Sequence, residues 1–162
     1  MAVDFFLKIE GIKGESRDDA HKDEIDVTAW DWGMSQTGSM HIGGGGGTGK
    51  VSVNDLSITK TIDKSTPNLM KSCTTGKHFA EATLVCRKAT GDKPLEYLVL
   101  KLKDVLISNI SVGGSESNGG VVTENVTLNF ASFEYAYTPQ NEKGASEGVV
   151  KHGFNIEKNV AA

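Results

Sequence analysis

A two-residue hydrophobic period recurs from one end of this chain to the other, and that period sets the fold class before anything else does. Val3, Phe5, Leu7 and Ile9 alternate with mostly polar neighbours, which in an extended chain puts one apolar row on one face. Ile25 to Met34 reads as a second strand with Trp30, Trp32 and Met34 on one face and Ala29, Asp31 and Gly33 on the other. A third run carries Val51 and Val53, then Leu56, Ile58 and Ile62. Its parity changes near Asn54-Asp55, as one extra bulged residue would require.

Three more runs, Phe79 to Arg87, Leu95 to Ser111 and Val121 to Tyr137, are separated by the turn-forming clusters Gly91-Asp92-Lys93-Pro94 and Asn118-Gly119-Gly120, and predict an antiparallel meander. In the last run Val126, Leu128 and Phe130 give way to Phe133, Tyr135 and Tyr137, which places a second bulge at Ala131-Ser132. Val149 to Ile156 reads as a closing strand. The expected architecture is all-β and mainly antiparallel: a bulged β-barrel of two packed sheets, with one short flanking α-helix and a long protruding loop, in a single domain over residues 1–162. Trp30, Trp32, Leu128 and Phe130 are the expected core, where truncating a large aromatic to alanine costs about 3–5 kcal/mol.

The helix is expected over residues 65–75. Ser65-Thr66 offer an N-cap, Pro67 suits the first turn, Leu69, Met70 and Cys73 form an apolar stripe, and Gly76 stands where the helix must stop. A helix this short is marginal alone and must be held by packing. The segment 37–50 is too long for a tight turn and contains the run Gly43 to Gly47, so it is expected to project from the body. Met40 and Ile42 are its two apolar residues, and with His41, Gly43, Gly44, Gly45 and Lys50 they are the candidate contact residues of the loop.

Composition removes several function classes. The net charge is −4 and no Lys/Arg cluster is present, so neither nucleic acid nor an anionic membrane surface is an expected partner. The first ten residues carry Asp4, Lys8 and Glu10 and lack the pattern of a signal peptide, and no stretch approaches the length of a transmembrane helix, so a soluble protein made in the cytoplasm is expected. Cys73 and Cys86 form no framework or redox motif and read as small buried thiols.

The motifs that suggest chemistry fail on context. Gly44 to Lys50 fits the first seven positions of a phosphate-binding loop, but Val51 stands where a Mg²⁺-binding hydroxyl is needed and a strand follows in place of a helix. Gly144-Ala145-Ser146-Glu147-Gly148 spells a nucleophile elbow without the strand before it or the helix after it. His21, His41, His78 and His152 are scattered and read as surface or loop residues, and Asp18-Asp19 and Asp23-Glu24 read as a solvated face. No catalytic residue, metal or cofactor is expected. The rival reading is a monomeric small-molecule-binding β-barrel.

Several blocks in order carry a resemblance: the opening Met1 to Ser16, Glu24 to Gly33, Gly38 to His41 with its glycine run, Asp55 to Lys60, Asp63 to Met70, Gly76 to His78, Thr123 to Phe130 and His152 to Glu157. Together the chain resembles the haemolysin-coregulated (Hcp) family of type VI secretion tube proteins. That resemblance implies a barrel that assembles into homohexameric rings, stacked head to tail as a tube. It also implies partnership with the spike, sheath and effector proteins of the machine, effectors carried or chaperoned in the lumen, and export without a cleaved signal. Under it, the 37–50 loop becomes the ring-stacking loop, and Ala29 and Asp31 become candidates for the lumen or subunit face.

Overall fold

A computed structural model describes residues 2–38, 49–89, 93–141 and 146–162. The alternating runs become β1 (Val3–Ile9), β2 (Ile25–Val27), β3 (Ala29–Asp31), β4 (Met34–Ser35), β5 (Ser52–Val53) and β6 (Leu56–Thr61). The helix α1 (Thr66–Thr75) follows, then β7 (His78–Lys88), β8 (Leu95–Gly114), β9 (Val122–Asn129), β10 (Ser132–Tyr137), β11 (Val150–Asn155) and β12 (Val160–Ala161). A 3-10 turn at Glu116–Asn118 joins β8 to β9. Every strand pairing is antiparallel.

The twenty-residue β8 organises the rest. One of its edges pairs with β7. Its other edge pairs with β10 over Leu98–Lys103 and with β9 over Leu106–Gly114. From that branch point one set of strands runs β8-β7-β1-β2 and β8-β10-β11-β12, while the other runs β9-β6-β3. The bend sits at Asp104, a non-glycine residue at φ +53°, opposite the gap between β9 and β10. A local left-handed residue breaks the pleat, and Asp tolerates that region better than most side chains. The parity switch expected at Ala131-Ser132 is therefore a break between two strands at Phe130-Ala131, and the long run Val121 to Tyr137 is two strands aligned along one edge of β8.

The run Ile25 to Met34 is likewise divided, into β2, β3 and β4. Thr28 marks the division: its N–H donates to Thr59 O at 2.8 Å, carrying the chain from one sheet across to the other. The two sheets meet there without a closed ladder, so the barrel is open along the β2/β6 seam. The parity change at Asn54-Asp55 is the gap between β5 and β6.

Leu7, Ile9, Ile25, Leu56, Ile58, Leu84, Leu100, Leu102, Val105, Ile107, Val126, Leu128, Phe130 and Phe133 fill the space between the sheets. Leu128 and Phe130 are buried as expected. Trp30 and Trp32 are not: both pack against the core but remain half-buried, Trp30 because β3 pairs among the described residues with β6 alone and Trp32 because it lies just past the end of that strand. Ala29 and Asp31 are exposed on the opposite face, as the period requires. Cys86 is buried, which pushes its thiol up to about 12, and Cys73 is half-buried on α1.

The sequence pattern gives no hint of the charge inside. Lys60 follows Leu56 and Ile58 on the core-facing side of β6 and is fully buried, while Ile62 is exposed. Its Nζ donates to Asp63 Oδ1 at 2.9 Å, to Thr61 O at 3.1 Å and to Thr66 Oγ1 at 3.4 Å, and it pairs with Glu124, its cross-strand partner on β9. Glu124 is also fully buried, and Lys60 is the one partner of its carboxylate among the described residues. The same cluster sets the start of α1. Ser65 makes no side-chain cap; Asp63 Oδ1 instead accepts from Ser65 N at 2.9 Å, and Thr66 Oγ1 accepts from Asp63 N at 3.2 Å. Gly76 ends the helix at φ +65° as expected, but the buried side is Thr66, Leu69 and Ser72, and Met70 faces out.

Removing one member of this pair strands the other in the core, whereas replacing both with apolar groups of similar length removes the desolvation penalty. K60M and E124M singly are expected to lower unfolding free energy by about 3–5 kcal/mol each, and the double variant to recover most of that loss. Urea melts of the four proteins check it.

Candidate functional site

The segment that carried the strongest functional expectation rises from a defined root. β4 and β5 form a separate two-stranded ribbon, with Met34 opposite Val53 and Ser35 opposite Ser52. Below it, Asn54 N donates to Gly33 O at 2.9 Å, and Trp32 Nε1 donates to Asn54 O at 2.9 Å. Above it, Gly49 approaches Thr37 so closely that a Cβ there would lie 3.1 Å from Thr37 Cβ. Met40, His41, Ile42, Gly43, Gly44 and Gly45 lie outside the described residues. Lys50, at the end of the segment, is exposed.

The ribbon is fixed to the barrel by aromatic rings. Trp32 meets Phe133 edge-on at 4.8 Å between centroids, lies 6.2 Å from Phe130 and stacks on Tyr135 at 6.3 Å. Phe133 extends the group to Phe154 on β11. Offset and edge-on pairs of this kind are worth about 0.5–1.5 kcal/mol each beyond the area they bury. Trp30 makes a separate edge-on contact with Phe5 on β1. The side of β3 that carries Ala29 and Asp31 lies open, with these residues opposite Thr59 and Ser57 of β6. The open β3 face and the root of the 37–50 segment lie on neighbouring stretches of the chain.

Sequence reasoning missed a second polar site. His21, read as a surface residue, is buried. Its Nδ1 lies 3.0 Å from Glu24 and its Nε2 lies 2.6 Å from Glu96 Oε1. Asp18 and Glu24, read as members of a solvated acidic face, are engaged: Asp18 accepts from Arg87 Nη1 at 2.9 Å, and that hydrogen bond holds its carboxyl down at about 2. The signal available in the sequence was the aromatic at Phe6, out of step with the apolar row of β1, whose ring stacks on His21 at 4.3 Å.

Among the described residues no group of three His, Cys, Asp or Glu is placed to hold a metal ion, and no helix is long and apolar enough to cross a membrane. Ser146, the centre of the apparent nucleophile elbow, sits in an isolated bridge with Gln140.

Comparison with known proteins completes the description of the site. The family model described as type VI secretion system effector, Hcp, matches residues 6–137. Protein hcp1 of Pseudomonas aeruginosa is 59% identical over 163 residues, covering 100% of each chain. The crystal structure of Hcp1 from Salmonella typhimurium is 38% identical with a TM-score of 0.80 and full coverage of both chains. A type VI secretion system effector from Yersinia pestis is 35% identical with a TM-score of 0.77, covering 94% of this chain and 100% of its own.

The half-burial of Trp32 revises the expected loss for its truncation. W32A is expected to cost about 2 kcal/mol, below the range for a fully buried ring. W32F, which keeps a ring but no N–H, is expected to lose about 1 kcal/mol with the hydrogen bond to Asn54. Thermal melts give both, and amide exchange at Val53 and Asn54 should rise in W32A while that of β7 stays unchanged.

Proposed function

The chain belongs to the Hcp family of the type VI secretion system, and from that premise we propose that residues 1–162 act as one ring-forming unit of the secretion tube, with the 37–50 loop as the contact between stacked rings. The observation that carries the reading is the combination of an end-to-end relative and a loop root fixed by Trp32. A small-molecule barrel is not favoured, because the space between the sheets is filled by Leu100, Leu102, Phe130 and Phe133.

The geometry supports assembly in two ways. The edges at β2, β3 and β12, unpaired among the described residues, are hazards unless covered, and a cyclic ring covers edges without an open fibre in its plane. Stacking the same ring face to back is a heterologous contact that never closes, which gives a tube. Within this reading Ala29 and Asp31 face the lumen or the neighbouring subunit, the spike, sheath and effector proteins of the machine are the partners, and the protein leaves the cytoplasm through the machine without a cleaved signal.

The loop is suited to ordering on contact. Its five consecutive glycines carry no side chain to pack and are entropically expensive to fix, so contacts made by Met40 and Ile42 must supply the holding energy. Lys50 at its base sets orientation at most, since an exposed ion pair contributes no more than about 1 kcal/mol.

Two measurements test the proposal. Native mass spectrometry and negative-stain images of the purified protein should show hexamers with a central hole; monomer alone at micromolar concentration would overturn the ring. M40D/I42D should melt normally and form rings but fail to stack or to be delivered into target cells. A collapsed melting temperature, or full delivery, would remove the loop from the stacking role.

A further inference from the structure

Residues 13–24, between β1 and β2, double back on themselves as a strap. Gly14 N donates to Asp23 O at 2.8 Å, Asp23 N to Ser16 O at 2.9 Å and Ser16 N to Glu24 O at 3.0 Å. Gly14 is forced by this closeness, since a Cβ there would lie 2.4 Å from Glu24 O. The strap lies on the side of the sheet away from the core. Phe6 and its cross-strand neighbour Val85 point to that side, opposite Leu7 and Leu84, yet both are buried and neither belongs to the core cluster. The Phe6 ring is covered by the stacked His21 ring and by the Arg87 guanidinium.

Two polar contacts fasten the strap. At one, Arg87 of β7 grips Asp18 and lies over the Phe6 ring at 4.9 Å. At the other, the His21 ring stands between Glu24 Oε2 at 3.0 Å and Glu96 Oε1 at 2.6 Å. Ionised carboxylates only accept hydrogen bonds, whereas a neutral imidazole has one N–H and one lone pair. With a neutral ring, one of these contacts sets lone pair against lone pair. Only the imidazolium donates to both.

We propose that residues 13–24 form a proton-dependent strap, closed by the His21 imidazolium between Glu24 and Glu96, whose release uncovers the Phe6–Val85 strip. The charged groups around the strap are Glu24 and Asp18 of the strap itself, Glu96 of β8, Arg87 of β7 with its second partner Asp4 of β1, and Asp26 of β2, which lies opposite Phe6, hydrogen-bonds Ser16 and has its carboxyl pushed up by burial. A ring that loses its second N–H keeps only one of the two contacts, so the His21 fastening weakens as pH rises. The Asp18 latch has the opposite sign. Its carboxyl is held at about 2, so its contribution is present above the ordinary carboxylate range and is lost as pH falls from about 4 towards 2. The strap is therefore closed in an intermediate window and opened from either end by a different residue.

Hydrogen exchange of the assembled protein, corrected for intrinsic pH dependence, tests the alkaline side between about pH 5 and about pH 8, where an imidazole changes charge. Rates for the amides of Gly14, Ser16, His21, Asp23 and Glu24 should rise at least about tenfold across that range, while those of β7 and β8 stay fixed as a folding control. H21Q should exchange fast at both values, and E96Q, altered at a partly exposed position, should show a much smaller pH response. Corrected strap rates that do not change with pH, or an E96Q response equal to wild type, would overturn the proposal. So would a folded H21Q as protected as wild type at the lower pH. If H21Q loses its β7 and β8 protection, E96Q and the wild-type profile decide the matter.

Discussion

Everything in this barrel is measured from β8. A strand twenty residues long cannot stay flat, because strands twist and a long one must bend or leave its neighbours. Here the bend is concentrated at Asp104, with one run of partners before it and another after it. On one side of that corner β8 belongs with β7, β1 and β10; on the other it belongs with β9 and β6. The two sheets face each other because they are two halves of one strand's pairing. Phe130 and Phe133, at the break between β9 and β10, fill the inside of the corner. The position of the aromatic cluster, and of the ribbon rooted on it through Trp32, follows from where β8 turns.

The opposite end of the space between the sheets is closed by charge. Lys60 and Glu124 sit opposite each other on β6 and β9, at core-facing positions beyond Ile58 and Val126. An apolar pair there would suit a sheet alone. The ammonium does something an apolar side chain cannot, since it reaches Asp63 and Thr66 as well as Glu124 and so ties the first turn of α1 to two strands. A ten-residue helix has too little propensity energy to choose its own position. The buried pair costs desolvation and returns a fixed placement of the helix and a fixed register of β6 on β9.

The sequence showed alternation wherever one face of a strand is buried by apolar groups, and this reveals the strands, the interruption at Asn54-Asp55, a parity switch at Ala131-Ser132 that lies one residue from the break between β9 and β10, and the outward set of Ala29 and Asp31. It failed where polarity and burial part company. Lys60, Glu124 and His21 look solvated in one dimension because the pairing of Lys60 with Glu124 is made by two strands distant in sequence, and that of His21 with Glu96 by a loop folding back. Trp30 and Trp32 look like core because they are large and in phase, yet Trp30 sits on an edge strand and Trp32 just past its end, which leaves both half-buried. Asp104 carries no turn signature, since the corner is imposed by the neighbours of β8 and tolerated by the residue. Of the candidate loop, the root was legible as a parity change and an aromatic face, while the hydrogen bond from Trp32 to Asn54 was not.

These features bear on how a ring-forming unit divides its tasks. A ring must be held by surfaces that are ordered before assembly, because each subunit contributes the same patch and any looseness is repeated around the circle. The bent β8, the helix fixed by Lys60 and the strap over Phe6 supply that order without help from a neighbour. Stacking has a different requirement. A glycine-rich segment loses about 1–2 kcal/mol of backbone freedom per ordered residue, so one loop-to-ring contact is weak by construction. If the 37–50 loop makes the ring-to-ring contact, as proposed, six such contacts on a hexamer act together, because once one loop is seated the others are already at high local concentration. Their cooperation depends on all six loops starting from equivalent positions. In the proposed stack the Trp32 root supplies that equivalence, because its hydrogen bond to Asn54 and its ring contacts fix the base of each loop in the same place.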